Sequence, residues 1–189
     1  KQDRVLSTGT LADTIDRPRP AWSPDGRWIA LFAIGAKAFT NVELVPVAGG
    51  PRRPVSFLAN VNANTIAWSR DGTYLLFDTG QRTEPGQLAR VDLTLRTPKF
   101  REDLFRDLFS DPQNPRTSEP QNPRTPEPQN PRTSEPIFAG IRQRLSFVPV
   151  GLDVGDIAVS ADGKTAALLA SSAGQTNLYS YSLDELAVD

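Results

Sequence analysis

The sequence predicts an all-β chain: a partial β-propeller of about three four-stranded antiparallel blades, with a long, partly disordered loop insert containing one short helix. Two observations carry this. A unit recurs as AWSPDGRWIALFA (Ala21 to Ala33), AWSRDGTYLLFDT (Ala67 to Thr79) and AVSADGKTAALLA (Ala158 to Ala170). Further apolar strands follow each copy at a nearly constant offset, which gives four strands about every 45 residues, the period of a propeller blade.

Each copy is a short apolar strand, a Ser-x-Asp-Gly turn and a second apolar strand, hence a β-hairpin. Ser23-Pro24-Asp25-Gly26 suits a type I turn, with Pro at its second position and Gly as the left-handed residue of a bulge. Ser69-Arg70-Asp71-Gly72 and Ser160-Ala161-Asp162-Gly163 keep that chemistry without the proline. A third strand is expected at Val42 to Val47, 17 residues after Asp25. Its counterparts are Leu88 to Leu93, 17 after Asp71, and Leu178 to Leu183, 16 after Asp162. A fourth is expected at Arg53 to Leu58 in the first unit and at Arg144 to Val148 in the second.

The same spacing locates the insert. Asp25 to Asp71 is 46 residues and Asp71 to Asp162 is 91, an excess of 45. Ser56 lies 13 residues before Ser69 and Ser146 lies 14 before Ser160, so one residue of the excess follows the fourth strand. The other 44 fall between the third and fourth strands of the second unit, at 94–137. The expected organisation is a lead-in at 1–16, with Val5-Leu6-Ser7 as the outer strand of a preceding blade. A first blade follows at 17–60, a second at 61–150 carrying the insert, and an incomplete third at 151–189. A chain without methionine that begins Lys1-Gln2-Asp3-Arg4 reads as a piece of a longer protein. About three blades leave unpaired edges, which template pairing, so the chain alone is expected to be marginal or to associate.

Within the insert, Phe100, Leu104, Phe105, Leu108 and Phe109 recur at helical spacing and Glu102 pairs with Arg106, which predicts a helix over 99–109. Such a helix packs on the propeller edge or docks a neighbouring domain. The octads QNPRTSEP, QNPRTPEP and QNPRTSEP follow at 113–136 without one aliphatic or aromatic side chain. Their prolines favour extended polyproline II and disorder, spanning about 75 Å at full extension. Pro123-Arg124-Thr125-Pro126 matches a bare PxxP and Thr125-Pro126 a phosphorylation dipeptide; both are weak signals beside the reading as a solvated spacer.

Composition narrows the chemistry. The 189 residues are 38% hydrophobic, enough for one domain outside the Pro-rich tract. Net charge is −1 from 21 basic and 22 acidic side chains, so no basic field is available to hold nucleic acid or an anionic membrane. No apolar run approaches the ~20 residues of a membrane span, and no signal peptide is seen. Without cysteine there is no disulfide or thiol chemistry. Without histidine no Ser-His-Asp triad, His-ligated metal or His general base can be assembled.

The remaining candidates are better explained by structure. Asp162-Gly163-Lys164-Thr165 is similar to the end of a phosphate-binding loop, but Ala158 stands where that loop needs glycine and a strand follows instead of a helix. Ser160 and Lys164 flank one hairpin turn, which explains both without a Ser-Lys dyad. The turn aspartates are turn formers, and Glu102, Asp103, Asp107 and Asp111 are solvated charges around the helix. No metal-loop spacing occurs. Trp22, Trp28 and Trp68 lie in hairpin strands and pack between blades, although an aromatic at a propeller mouth can bind ligands. No catalytic, cofactor-binding or metal residue is therefore assigned.

Trp-Ser-Pro-Asp-Gly-Arg-x-Ile-Ala, at Trp22 to Ala30, resembles the TolB-type propeller repeat, as does Pro46-Val47-Ala48-Gly49-Gly50. The longer arrangement resembles the N-terminal propeller of bacterial tricorn-like serine peptidases. The segments that carry it are Val55 to Asn62, Phe77 to Arg82, Phe100 to Phe105 and Gly140 to Leu145. Those proteins are similar in having a variable Pro-rich stretch at this place. The resemblance implies a noncatalytic propeller that gates, sorts or docks peptide substrate. Its partners would be the remaining blades and the catalytic domain of a parent protein, in the periplasm or secreted. The family's catalytic Ser and His have no matching positions here. The alternatives are a TolB-like interaction propeller without an enzyme, or the propeller of a prolyl-oligopeptidase-type or amidohydrolase-type hydrolase.

Overall fold

The computed structural model describes residues 3–9, 19–61, 63–81, 84–96 and 135–183. Their strands form three antiparallel meanders. The first sheet contains β1 (Ala21–Trp22), β2 (Trp28–Ile34), β3 (Thr40–Pro46) and β4 (Arg53–Pro54). The second contains β5 (Ile66–Trp68), β6 (Tyr74–Thr79), β7 (Gln87–Asp92) and β8 (Leu145–Val148). The third contains β9 (Asp153–Val159), β10 (Thr165–Ser172) and β11 (Gln175–Ser182). β5 lies against both β1 and β9, so the sheets fan out from a shared inner edge, as propeller blades do.

The turn chemistry behaves as the repeat predicts. Gly26, Gly72 and Gly163 have φ of +69°, +70° and +73°, a conformation that favours glycine. The serine hydroxyls accept the backbone N–H of Trp28, Tyr74 and Thr165 at 2.9, 3.0 and 3.0 Å. The aspartates accept the N–H two residues on: Arg27 and Thr73 at 3.1 Å, Lys164 at 3.0 Å. Each turn is thus a closed polar circuit.

Packing follows from strand alternation. Trp28, Ala30 and Phe32 of β2, with Val42 and Leu44 of β3, meet Leu75 and Phe77 of β6 and Ala89 and Val91 of β7. On the other face of the second sheet, Tyr74, Leu76 and Leu88 meet Ile157, Ala166, Leu168 and Ala170 of the third. Burial on both faces is why every residue of β6 is buried. The third sheet's other face is open: Leu169 and Leu178, paired across β10 and β11, are 46% and 74% exposed.

One expected strand is much shorter. The ladder of β4 stops at Pro54, not at Leu58. Beyond it, the Val55 N–H still donates to the Val42 carbonyl at 2.9 Å, and side chains join the pairing: the Ser56 hydroxyl accepts the Val42 N–H at 2.7 Å. Asn41 accepts the Leu58 N–H at 2.7 Å and donates to its carbonyl at 3.0 Å. Residues 55–58 therefore stay beside β3 without forming a ladder.

The helix expected at 99–109 lies outside the described residues, as do the octads apart from Glu135 and buried Pro136. The stems on either side of the insert are joined. Ile137 N–H donates to the Leu93 carbonyl at 2.8 Å. Arg144 donates to the carbonyls of Asp92 (2.9 Å), Ala139 (3.2 Å) and Ile137, spanning both stems. Replacing residues 97–134 by a Gly-Ser linker of about six residues should leave the three sheets intact by far-UV circular dichroism. It should raise unfolding free energy in urea by about 1.5 kcal/mol, from the smaller loop-closure entropy. Arg144→Ala should instead lower it by about 1–3 kcal/mol, because carbonyls at both stems lose their donor.

Candidate functional site

A concavity lies between the second and third sheets, at the end of the strands away from the Ser-x-Asp-Gly turns. Its volume is about 770 Å³. Its walls are the β6–β7 loop at Pro85–Gln87, the β8–β9 connection from Phe147 to Asp153, and the β10–β11 turn at Ser171–Gly174. Gly86 fastens these walls together. Its N–H donates to Asp153 Oδ1 at 2.5 Å and its carbonyl accepts the Val154 N–H at 3.2 Å. A Cβ at Gly86 would stand 2.7 Å from both Asp153 Oδ1 and the Val154 carbonyl, so only glycine allows this approach.

Phe147, Val148, Pro149, Val150 and Leu152 make the cleft mainly apolar, and Asp153 is the one ionisable side chain in its lining. The Ser171 hydroxyl is shared with Thr176 Oγ1 at 2.8 Å. Apolar walls of this kind suit an apolar group. Asp153 pairs with Ser171 in the β9–β10 register, but its carboxylate is engaged by the Gly86 N–H and the Ser171 hydroxyl by Thr176.

The residues weighed from the sequence fall in separate places. Ser160 donates to Asp162 Oδ1 at 2.5 Å and accepts from Thr165, so its hydroxyl is committed to the turn. That donation, joined by the Lys164 N–H, holds Asp162 below the usual carboxylate range. At Asp25 and Asp71 burial acts in the opposite direction, but hydrogen bonds from Ser23 and Arg27, and from Thr73 and Ser69, outweigh it. Trp28 packs at 5.7 Å from the Phe138 ring, and Trp68 donates its indole N–H to the Ala21 carbonyl of the preceding sheet at 2.9 Å. Trp22, its repeat counterpart, is 58% exposed. Glu102, Asp103, Asp107 and Asp111 lie outside the described residues. Among the described residues no group of three or more Asp, Glu, His or Cys is placed to hold a metal.

Sequence reasoning missed Asp78. It occupies the repeat position filled by Phe32 and Leu169 in the other units, and that substitution was the available signal. Asp78 is buried, and its carboxylate accepts the N–H groups of Asn64 and Thr65 at 2.8 Å and the Asn64 side-chain amide at 2.8 Å. Asn60 Oδ1 accepts the Gly80 N–H at 2.6 Å, while its buried Nδ2 has no partner among the described residues. Together they pin the connection between the first and second sheets to the end of β6. Burial pushes the Asp78 carboxyl up to about 6, against the pull of its N–H donors.

No protein-family model and no curated protein sequence matches the chain. Solved structures do. TolB from Acinetobacter baumannii superposes with a TM-score of 0.54 at 14% identity, over 88% of this chain and 29% of that one. A TolB-designated protein from Agrobacterium tumefaciens gives 0.50 at 17% identity, over 88% and 42%. The tricorn protease gives 0.44 at 12% identity, over 88% and 21%. The chain thus spans less than half the length of each. It has part of a TolB-like β-propeller fold.

Asp78 makes a pH prediction with a definite sign. Its folded pKa is raised above the 3.8 of an ordinary aspartate, so its contribution to stability is complete below about pH 4 and is lost as pH rises through about 6. The loss is on the order of 3 kcal/mol. Urea unfolding of wild type and Asp78→Asn between pH 4 and 7 should show this downward slope in the wild type alone.

Proposed function

We propose that the chain is a noncatalytic propeller module of a larger tricorn-like serine peptidase. It docks or gates peptide substrate there, with the remaining blades and the catalytic domain as its partners. The observation that carries the module reading is the open face of the third sheet. Ala30 and Leu76 are fully buried between sheets, while their repeat counterpart Ala167 is exposed beside Leu169 and Leu178. A sheet face of this kind is built to receive another sheet. The peptidase part rests on the resemblance of the segments Val55 to Asn62 and Gly140 to Leu145. The cleft around Phe147 and Leu152 gives the module a surface for an extended chain.

Two measurements test this. Sedimentation of the chain should show association, which Leu169→Ser with Leu178→Ser relieves; a monodisperse, cooperatively melting wild-type monomer would contradict the module reading. Unstructured peptides should shift backbone resonances of residues 85–87 and 147–153 without being hydrolysed. Phe147→Ser with Leu152→Ser should weaken that binding by about tenfold, a loss of about 1.4 kcal/mol. Peptide turnover abolished by Ser160→Ala would reject the noncatalytic reading. Peptide binding away from the cleft would reject the docking one.

A further inference from the structure

The outer seam between the first and second sheets holds a different kind of feature. A cavity of about 470 Å³ is bordered by Arg53, Pro54 and Phe57 from the first sheet and by Phe138 and Gly140–Gln143 from the second. Two arginines cross this seam reciprocally. The Arg53 guanidinium of the first sheet lies 4.2 Å from the ring centre of Phe138, and the Arg142 guanidinium of the second lies 3.9 Å from that of Phe57.

Most of the other described arginines are committed to acceptors within the protein, Arg4 and Arg70 to carbonyls among them. Arg27 is paired with Asp25 and Glu135, Arg52 with Glu43, Arg90 and Arg96 with Asp92, while Arg144 is spent on carbonyls. Neither Arg53 nor Arg142 has a carboxylate partner among the described residues, and both are exposed. Stacking on a ring fixes the plane of a guanidinium but uses only its face. The N–H edges stay free, arranged as a fork that matches a carboxylate through two parallel hydrogen bonds.

We propose that this seam is a docking site for an acidic peptide segment, whose Asp or Glu side chains take the forks of Arg53 and Arg142. The partner's charge must be negative and local. Two cations in a chain of net charge −1 match one or two carboxylates and fall far short of the phosphate contacts that nucleic acid requires. Pro54 and Phe57 offer apolar surface beside the forks, which suits a peptide carrying an aliphatic residue between its acids. The cavity falls within the ordinary range for binding sites, roughly 300–1,000 Å³. Because ligand would touch both sheets, binding would also clasp the first blade to the second.

The test uses the full chain and the doubly blocked peptide acetyl-Gly-Glu-Leu-Glu-Gly-amide, with its Gln counterpart as control. At low salt the Glu peptide should shift the backbone resonances of residues 53–57 and 139–143, with at least about tenfold higher affinity than the Gln peptide. Arg53→Gln and Arg142→Gln should each weaken it by about five- to tenfold, and Arg142→Lys, which keeps charge without the fork, by an intermediate amount. Both side chains are exposed, so these variants should melt with wild type. Equal binding of the two peptides, shifts located elsewhere, or variants that bind as wild type would overturn the proposal. Inorganic phosphate saturating these resonances when the Glu peptide does not would also overturn it, in favour of a phosphoryl ligand. None of these readouts depends on a parent peptidase.

Discussion

The second sheet's burial on both faces is the constraint on which the rest depends. A four-stranded sheet in water can hide at most one face against its own connections, so stability has to come from stacking sheet on sheet. Here β6 achieves this with alternation alone: Leu75 and Phe77 point to the first sheet, Tyr74 and Leu76 to the third. Each fully buried aliphatic or aromatic side chain contributes roughly 1.5–3 kcal/mol of transfer free energy. Stability is therefore concentrated in the two seams. The first and third sheets each contribute one face to them. The Ser-x-Asp-Gly turns and the Asp78–Asn60 contacts hold strand ends so that these seams stay in register.

The Ser-x-Asp-Gly turns show the logic at residue scale. A hairpin entering a buried seam needs its register fixed, because a one-residue slip would move Leu75 and Phe77 to the wrong face. The circuit through Ser69, Asp71 and the Tyr74 N–H locks that register. Asp78 and Asn60 do the same at the far end, at the cost of a carboxyl buried where the other repeats place Phe32 and Leu169. The two ends of β6 are thus held by unlike chemistry. The turn aspartates are held ionised by their donors, while burial opposes ionisation at Asp78.

What the sequence made legible was what repeats. The turns, the third strands and the return of β8 after the insert all follow from offsets that recur, and offsets survive the loss of side-chain identity. What it hid was whatever occurs once. Past the early end of β4, Asn41 and Ser56 side chains bond main-chain groups of the facing segment, and neither residue announces that role. The cleft at Gly86 depends on the distance between two backbones. The Arg53–Phe138 and Arg142–Phe57 stacks join residues that are far apart in sequence and separated by the whole insert, so no local pattern could have paired them.

The insert and the seam beside it illustrate how a propeller separates variation from stability. Loop length enters the free energy only logarithmically, so a long tract between β7 and β8 costs little provided its stems are closed. Ile137 and Arg144 close them with hydrogen bonds that do not involve the octads. Sequence between the stems can then change without strain reaching Leu93 or Val91 in the core. The stems themselves cannot vary so freely: the chain leaving them supplies Phe138, which packs on Trp28 and carries Arg53. Function built on this rim would accordingly reside in the fixed residues just beyond the insert.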